Sequence, residues 1–231
     1  MHFILSGLCR LMRTHSRSLA WLSVLILLPP GLDAATSEQA EIVAKPIHVE
    51  HRIFNRAHPP RDMPPIKDNE AALCYYQFGC EADCQMESAR TLFKLKPARI
   101  TKVKLTLSLD VTVWLPENDN AKMRAHEEGH REIAETIYRD APEIARKWGN
   151  RAVGITLQSS LKDEAAAQAE LKKIQQELMA AYMQETAKRC DRAQVYFDSI
   201  TAHGLNNLAE KAAVEKALVL ETSALHVNTG E

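Results

Sequence analysis

The chain has 231 residues, 45% of them hydrophobic and 26% charged, the composition of a globular protein. Its 29 basic residues are matched by 30 acidic ones, for a formal charge of −1, so no cationic excess exists to grip a nucleic-acid backbone. Eight glycines and ten prolines exclude a collagen-like or wholly unstructured chain, and no apolar run reaches the roughly 18 residues that a membrane-spanning helix needs.

At the start, Arg10, Arg13 and Arg17 precede Leu19 to Leu28, a run that is apolar apart from Ser23. Pro29, Pro30 and Gly31 break the run, and Ala34 and Ala35 are small enough for cleavage. This is the layout of a secretory signal peptide over residues 1–35. The mature chain is expected to be exported, periplasmic or secreted, without a membrane span.

Residues 36–70 read as an extended leader. The first part, to about Lys45, is polar, and in Pro46 to Arg56 the apolar Ile47, Val49 and Ile53 are interleaved with His48, Glu50 and Arg52, as in an edge strand. Pro59, Pro60, Pro64 and Pro65 make the remainder an extended loop. Loss of Cys9 with the leader leaves Cys74, Cys80, Cys84 and Cys190. An even number of cysteines outside the cytosol suggests two disulfides tying the 74–84 loop to Cys190. Their spacing does not match a zinc knuckle.

Arg99 to Leu115 is the clearest strand region, with Val103, Leu105, Leu107 and Leu109 alternating with Lys104, Thr106 and Ser108. It contains no glycine turn, so one long bent strand and two strands both remain open. Helices follow. Ala121 to Arg139 is the first, and Asp140-x-x-Glu143 with Pro142 is a start signal for a second, stopped by Gly149. Arg151 to Gln158 is a short candidate strand. Ser160-x-x-Asp163 opens a long helix that reaches His203, with Gly204 as its stop, and Leu205 to Leu225 forms the last helix.

The chemistry is concentrated in His126-Glu127-Glu128-Gly129-His130, an H-E-x-x-H sequence. On a helix, histidines four apart point the same way and can share one metal ion, while the adjacent glutamate can take a proton from a metal-activated water. His126 and His130 lie within about 40° of each other on the helical wheel and Glu127 within about 100°, on the stripe that also carries Met123, Ile133, Ala134, Ile137 and Tyr138. Glu128, Arg131, Glu132 and Glu135 fall on the opposite, solvated face. An inward carboxylate is costly unless something pairs with it, and a metal with its water would account for Glu127. A catalytic zinc needs a third protein ligand. The residues after His130 exclude a metzincin extension, and Glu143 is accounted for as a helix-start residue. His203, at the end of the long helix, is the downstream candidate; His48, His51, His58 and His226 read as surface histidines.

The strand-rich segment ending V-T-V-W-L-P, the R-A-H-E-E-G-H helix and the ending Y-F-D-S-I-T-A-H-G together resemble the bacterial domain of unknown function 922, over about Ile100 to Asn207. That family is regarded as secreted zinc-dependent proteases. Its first motif is matched by His126, Glu127, Gly129 and His130, its second by Asp198, Thr201, His203 and Gly204, with Tyr196 displaced by one residue. The resemblance implies an α+β fold in which N-terminal antiparallel strands pack on a zincin-like helical part with a long C-terminal helix. The catalytic domain would span 71–207, followed by a helical tail over 208–231.

It further implies one Zn2+ held by His126, His130 and His203, with Glu127 as general base and Tyr196 and Asp198 as oxyanion donor or outer-sphere residues. The expected reaction is hydrolysis of a peptide or protein substrate. Two other readings stay open: an inactive envelope interaction module presenting the long helix, and a zinc amidase acting on cell-wall peptides.

Overall fold

A computed structural model describes residues 39–66, 70–88, 97–161 and 163–228. The expected signal peptide, its cut after Ala35 and Cys9 lie outside these. The described chain is α+β: a sheet of five strands forms one layer, the first two α-helices pack against it, and a third helix packs on those two.

The centre of the sheet is β4 (Ala98–Pro116), a single strand as long as the whole predicted region. Its inward positions change parity, from Ala98 and Ile100 to Val103, Leu105, Leu107, Leu109, Val111 and Val113, all of them buried. An irregularity makes this possible: the partner strand steps from Lys102 to Ile100 between Gln85 and Met86, leaving Thr101 as the extra residue. A bulge of this kind bends a strand and turns its later side chains to the other face, so the strand is one and bent.

The sheet is mixed, where antiparallel strands were expected. β1 (Glu41–Ala44) and β2 (His48–Phe54) lie end to end along one side of β4, both parallel to it. β3 (Leu73–Glu87) runs antiparallel along the other side, and β5 (Thr156–Leu157) pairs antiparallel with the start of β4. The edge strand expected in Pro46 to Arg56 is β2, while β1 falls in the stretch expected to be a polar leader. Pro46 separates them because it can give no ladder N–H, and Lys45 N bridges the gap to Leu107 O at 2.9 Å. The segment expected to be a cysteine loop is β3, whose polar and aromatic residues concealed its alternation.

α1 (Ala121–Ala152) starts where Asn120 Oδ1 accepts from Met123 N at 2.9 Å. It runs unbroken through Pro142 and Gly149, where two helices were expected. An interior proline costs about 3 kcal/mol. Ile137, Ile144, Ala141 and Ala145 flank it and are buried in the core, and burial of one large aliphatic side chain alone is worth about 1.5–3 kcal/mol. Packing therefore carries the helix through. Gly149 acts as a contact point: a Cβ there would lie 2.5 Å from Ala40 Cβ, so its absence lets the chain entering β1 sit on the helix.

α2 (Glu164–Thr201) begins three residues later than the Ser160-x-x-Asp163 signature placed it: the cap is Asp163, whose Oδ1 accepts from Ala166 N at 2.6 Å, while Ser160 Oγ donates to Leu157 O. α3 (Glu210–Asn228) buries Ala213, Val214 and Ala217 in the common core. The last helix, expected over Leu205 to Leu225, is thus present and contributes to the core.

Candidate metal centre

α1 and α2 meet where α1 carries its polar inward residues. His126 and His130 stand one turn apart with ring centroids 4.7 Å apart and edge to face, and their Nε2 atoms are separated by 3.2 Å. Asp198, on α2, brings its Oδ1 to 3.3 Å from His126 Nε2 and 3.1 Å from His130 Nε2. These side chains form a candidate metal-binding triad among the described residues. Two imidazole lone pairs and a carboxylate oxygen repel one another at such distances unless a proton or a cation lies between them. Zinc–ligand bonds of about 2.0–2.1 Å in a tetrahedron place neighbouring donor atoms about 3.3 Å apart. The three edges of 3.1, 3.2 and 3.3 Å match that spacing.

The sequence positions this site in two ways. Cys190, Gln194 and Asp198 recur every four residues on α2 and so share one face. Gln194 Oε1 accepts a hydrogen bond from His130 Nδ1, and its Nε2 donates to His130 O at 3.0 Å and to Cys190 Sγ at 3.6 Å. With its proton held on Nδ1, His130 offers Nε2 as a lone pair, the tautomer a metal requires. Phe197 stacks on His126 and meets His130 edge-on, with ring centroids 4.9 Å away in both cases. Gly129 makes this possible, since a Cβ there would fall 2.4 Å from the Phe197 ring.

Burial and charge are set against each other here. Glu127 is 6% exposed; burial pushes its carboxyl above the ordinary value, with His130 and His126 pulling it back and Asp198 adding to the rise. Burial likewise works against a charged Asp198, but hydrogen bonds from His126 and His130 outweigh it and hold that carboxyl well below the usual range. Burial disfavours a charged His130, yet Asp198 and Glu127 raise its pKa overall.

Several expectations are redistributed. Asp198, expected as an outer residue, converges with the two histidines. His203, expected as third ligand, does not join the group: its Nδ1 is 3.7 Å from Asp198 Oδ1 and its side chain is 59% exposed. α2 ends at Thr201, and Ala202, His203 and Gly204 all take positive φ, at 49°, 53° and 73°. This left-handed turn swings His203 off the helical face on which its spacing would have put it. Tyr196, two residues before Asp198 and so about 200° around the helix, packs at the margin of the core, away from the triad. His48, His51 and His58 are exposed, as expected, and His51 Nε2 pairs with Glu128 Oε1 at 2.6 Å. Gln194 was not foreseen; its signal was the four-residue step back from Asp198.

The cysteine framework is also corrected. Cys74, Cys80, Cys84 and Cys190 are free thiols. The first three share one face of β3, about 14 to 20 Å apart in successive pairs at strand rise, far beyond the roughly 7 Å a disulfide spans. Two disulfides would require one pair within β3, so that arrangement is impossible in this fold. Burial pushes the thiols up, Cys80 and Cys190 to about 12 and Cys84 to about 11, which makes them inert packing residues.

No family model matches the chain, and no curated protein and no solved structure shows a significant similarity to it. No helix among the described residues is long and apolar enough to cross a membrane.

Proposed function

We propose that the protein is an exported zinc-dependent metallopeptidase. The observation that carries this reading is the triad of His126, His130 and Asp198 with near-equal donor separations of 3.1–3.3 Å, beside a buried glutamate in H-E-x-x-H order. The motif likeness to the domain of unknown function 922 supports it. Export rests on the N-terminal leader alone, since the cysteines no longer argue for an oxidising compartment.

In this reading His126, His130 and Asp198 hold one Zn2+, with Asp198 in the role first expected of His203. Bound there, zinc would supply Lewis-acid polarisation of the scissile carbonyl and lower the pKa of a water toward about 7. Glu127 takes the proton of the attacking water and delivers it to the leaving amine. Its raised pKa suits both halves of that transfer. Gln194 and Phe197 keep the imidazoles in place, which removes the cost of ordering them during the reaction. β4 offers no free edge to an extended substrate over Val111 to Trp114, because β2 and β3 occupy both of its sides.

The test combines metal analysis of the purified chain with hydrolysis of a peptide library, for wild type and Glu127→Gln. Stoichiometric zinc in both, with a fall of about 10²–10⁴-fold in kcat for the variant, is the expected result. Absence of zinc, or full activity in the variant, refutes the proposal. Cleavage of purified peptidoglycan in place of peptides redirects it to an amidase.

A further inference from the structure

The two imidazoles differ on the side away from the triad. His130 Nδ1 has Gln194 Oε1 as its partner. His126 Nδ1 is buried with no hydrogen-bond partner, and so is Glu210 Oε2. These two orphaned atoms lie 4.0 Å apart. A buried polar atom left without a partner costs about 1–3 kcal/mol, so two complementary orphans facing each other call for a reason. The side chains are 10% and 16% exposed, and Gly204 closes over the ring, since a Cβ there would approach His126 Cγ to 3.1 Å.

We infer that Glu210 is the positioning residue of the metal centre, the acceptor that receives the His126 Nδ1 proton once Nε2 is committed to a metal. The inference rests on the metal proposed at His126, His130 and Asp198. A histidine that gives Nε2 to a cation must carry its proton on Nδ1, and metal-ligating histidines donate that N–H in a hydrogen bond to a carboxylate, carbonyl or water, which fixes the ring and raises its basicity. The remaining gap of about 1 Å beyond hydrogen-bond length closes with a small rotation of Glu210.

The chain is built to deliver this carboxylate. The left-handed turn at Ala202, His203 and Gly204 reverses its direction after α2. Asn206 O accepts from Lys122 Nζ and Asn206 Nδ2 donates to Ile200 O at 2.6 Å, pinning the connection to both α1 and α2. Glu210 is the first residue of α3, and α3 is held in turn by its buried Glu221, to which Arg192 donates at 2.7 Å and Arg189 at 3.3 Å. The last helix thus becomes part of the site.

The experiment measures Zn2+ affinity by competition with a chromophoric chelator for wild type, Glu210→Ala, Glu210→Gln and Glu215→Ala, together with the imidazole N–H resonances of the zinc-loaded chains. Glu210→Ala is expected to weaken zinc binding about 10–100-fold, and Glu210→Gln, which keeps an acceptor of the same shape, by less. Glu215→Ala, an exposed change of equal charge on the same helix, should leave affinity unchanged. The His126 Nδ1 proton should resonate far downfield in wild type and move upfield in Glu210→Gln, a shift that a merely structural role for Glu210 would not produce. If Glu210→Ala fails to fold, the Gln variant decides alone. Equal affinities with an unmoved resonance overturn the role of Glu210 while leaving the metal centre standing; a wild-type chain that binds no zinc overturns both.

Discussion

The two halves of α1 obey one periodicity and meet different partners. Toward the C-terminus the inward stripe is Ile133, Ala134, Ile137, Ala141, Ile144 and Ala145, sealed in the common apolar core. Toward the N-terminus the same stripe carries His126, Glu127 and His130, opposed by Gln194 and Asp198 of α2. A buried polar face is tolerated only when the opposing surface satisfies it. One helix can therefore hold a core and a site because α2 changes character along with it, from Leu171, Leu178 and Tyr182 to Gln194 and Asp198.

The largest effect should come from removing that opposing charge. Asp198→Ala should weaken zinc binding by more than the roughly 10–100-fold typical of outer-sphere changes, whereas His203→Ala, at an exposed position, should change it by less than about twofold. Isothermal titration of both variants checks this, and the reverse order would restore His203 as the ligand. Ile137→Ala breaks the other half of the helix. It should cost about 2–5 kcal/mol in urea unfolding yet leave zinc affinity of the folded chain nearly unaltered, since it touches only the apolar half of the stripe.

The smallest effect concerns pH. His130 titrates above its ordinary value of 6.5 in the fold, so in the metal-free chain its contact with Asp198 contributes fully below about pH 6.5 and fades as pH rises through that raised value. Asp198 titrates below its ordinary 3.8, so its share is present above about pH 3.8 and is lost as pH falls. The contribution of this pair to apo stability is therefore greatest between about pH 4 and 6.5, as urea midpoints across that range will register. Zinc must displace protons from the imidazoles, so the stabilisation gained on adding it should rise with pH over the interval in which the apo contribution falls.

Much of the molecule is legible from short-range pattern. The alternation of β4 and the inward placing of His126, Glu127 and His130 follow from residue periods of two and 3.6, which are properties of the backbone alone. β3 was obscure because its inward residues are cysteines and aromatics set among glutamates and glutamines. Its strand character is secured by pairing with β4 along its length, and locally only Tyr75, Tyr76 and Phe78 are β-favouring.

Sequence by itself determined that His126, Glu127 and His130 lie together on the inward face of α1, because helical geometry needs no partner to order side chains around an axis. Tertiary structure alone decided that Asp198 completes the triad, that Gln194 stands behind His130, that Glu210 faces His126 and that the β3 cysteines cannot bond to one another. Those facts depend on where α2 ends and how the chain turns at Ala202 to Gly204, and on which surfaces are pressed together across residues far apart in sequence, distances that no local propensity encodes.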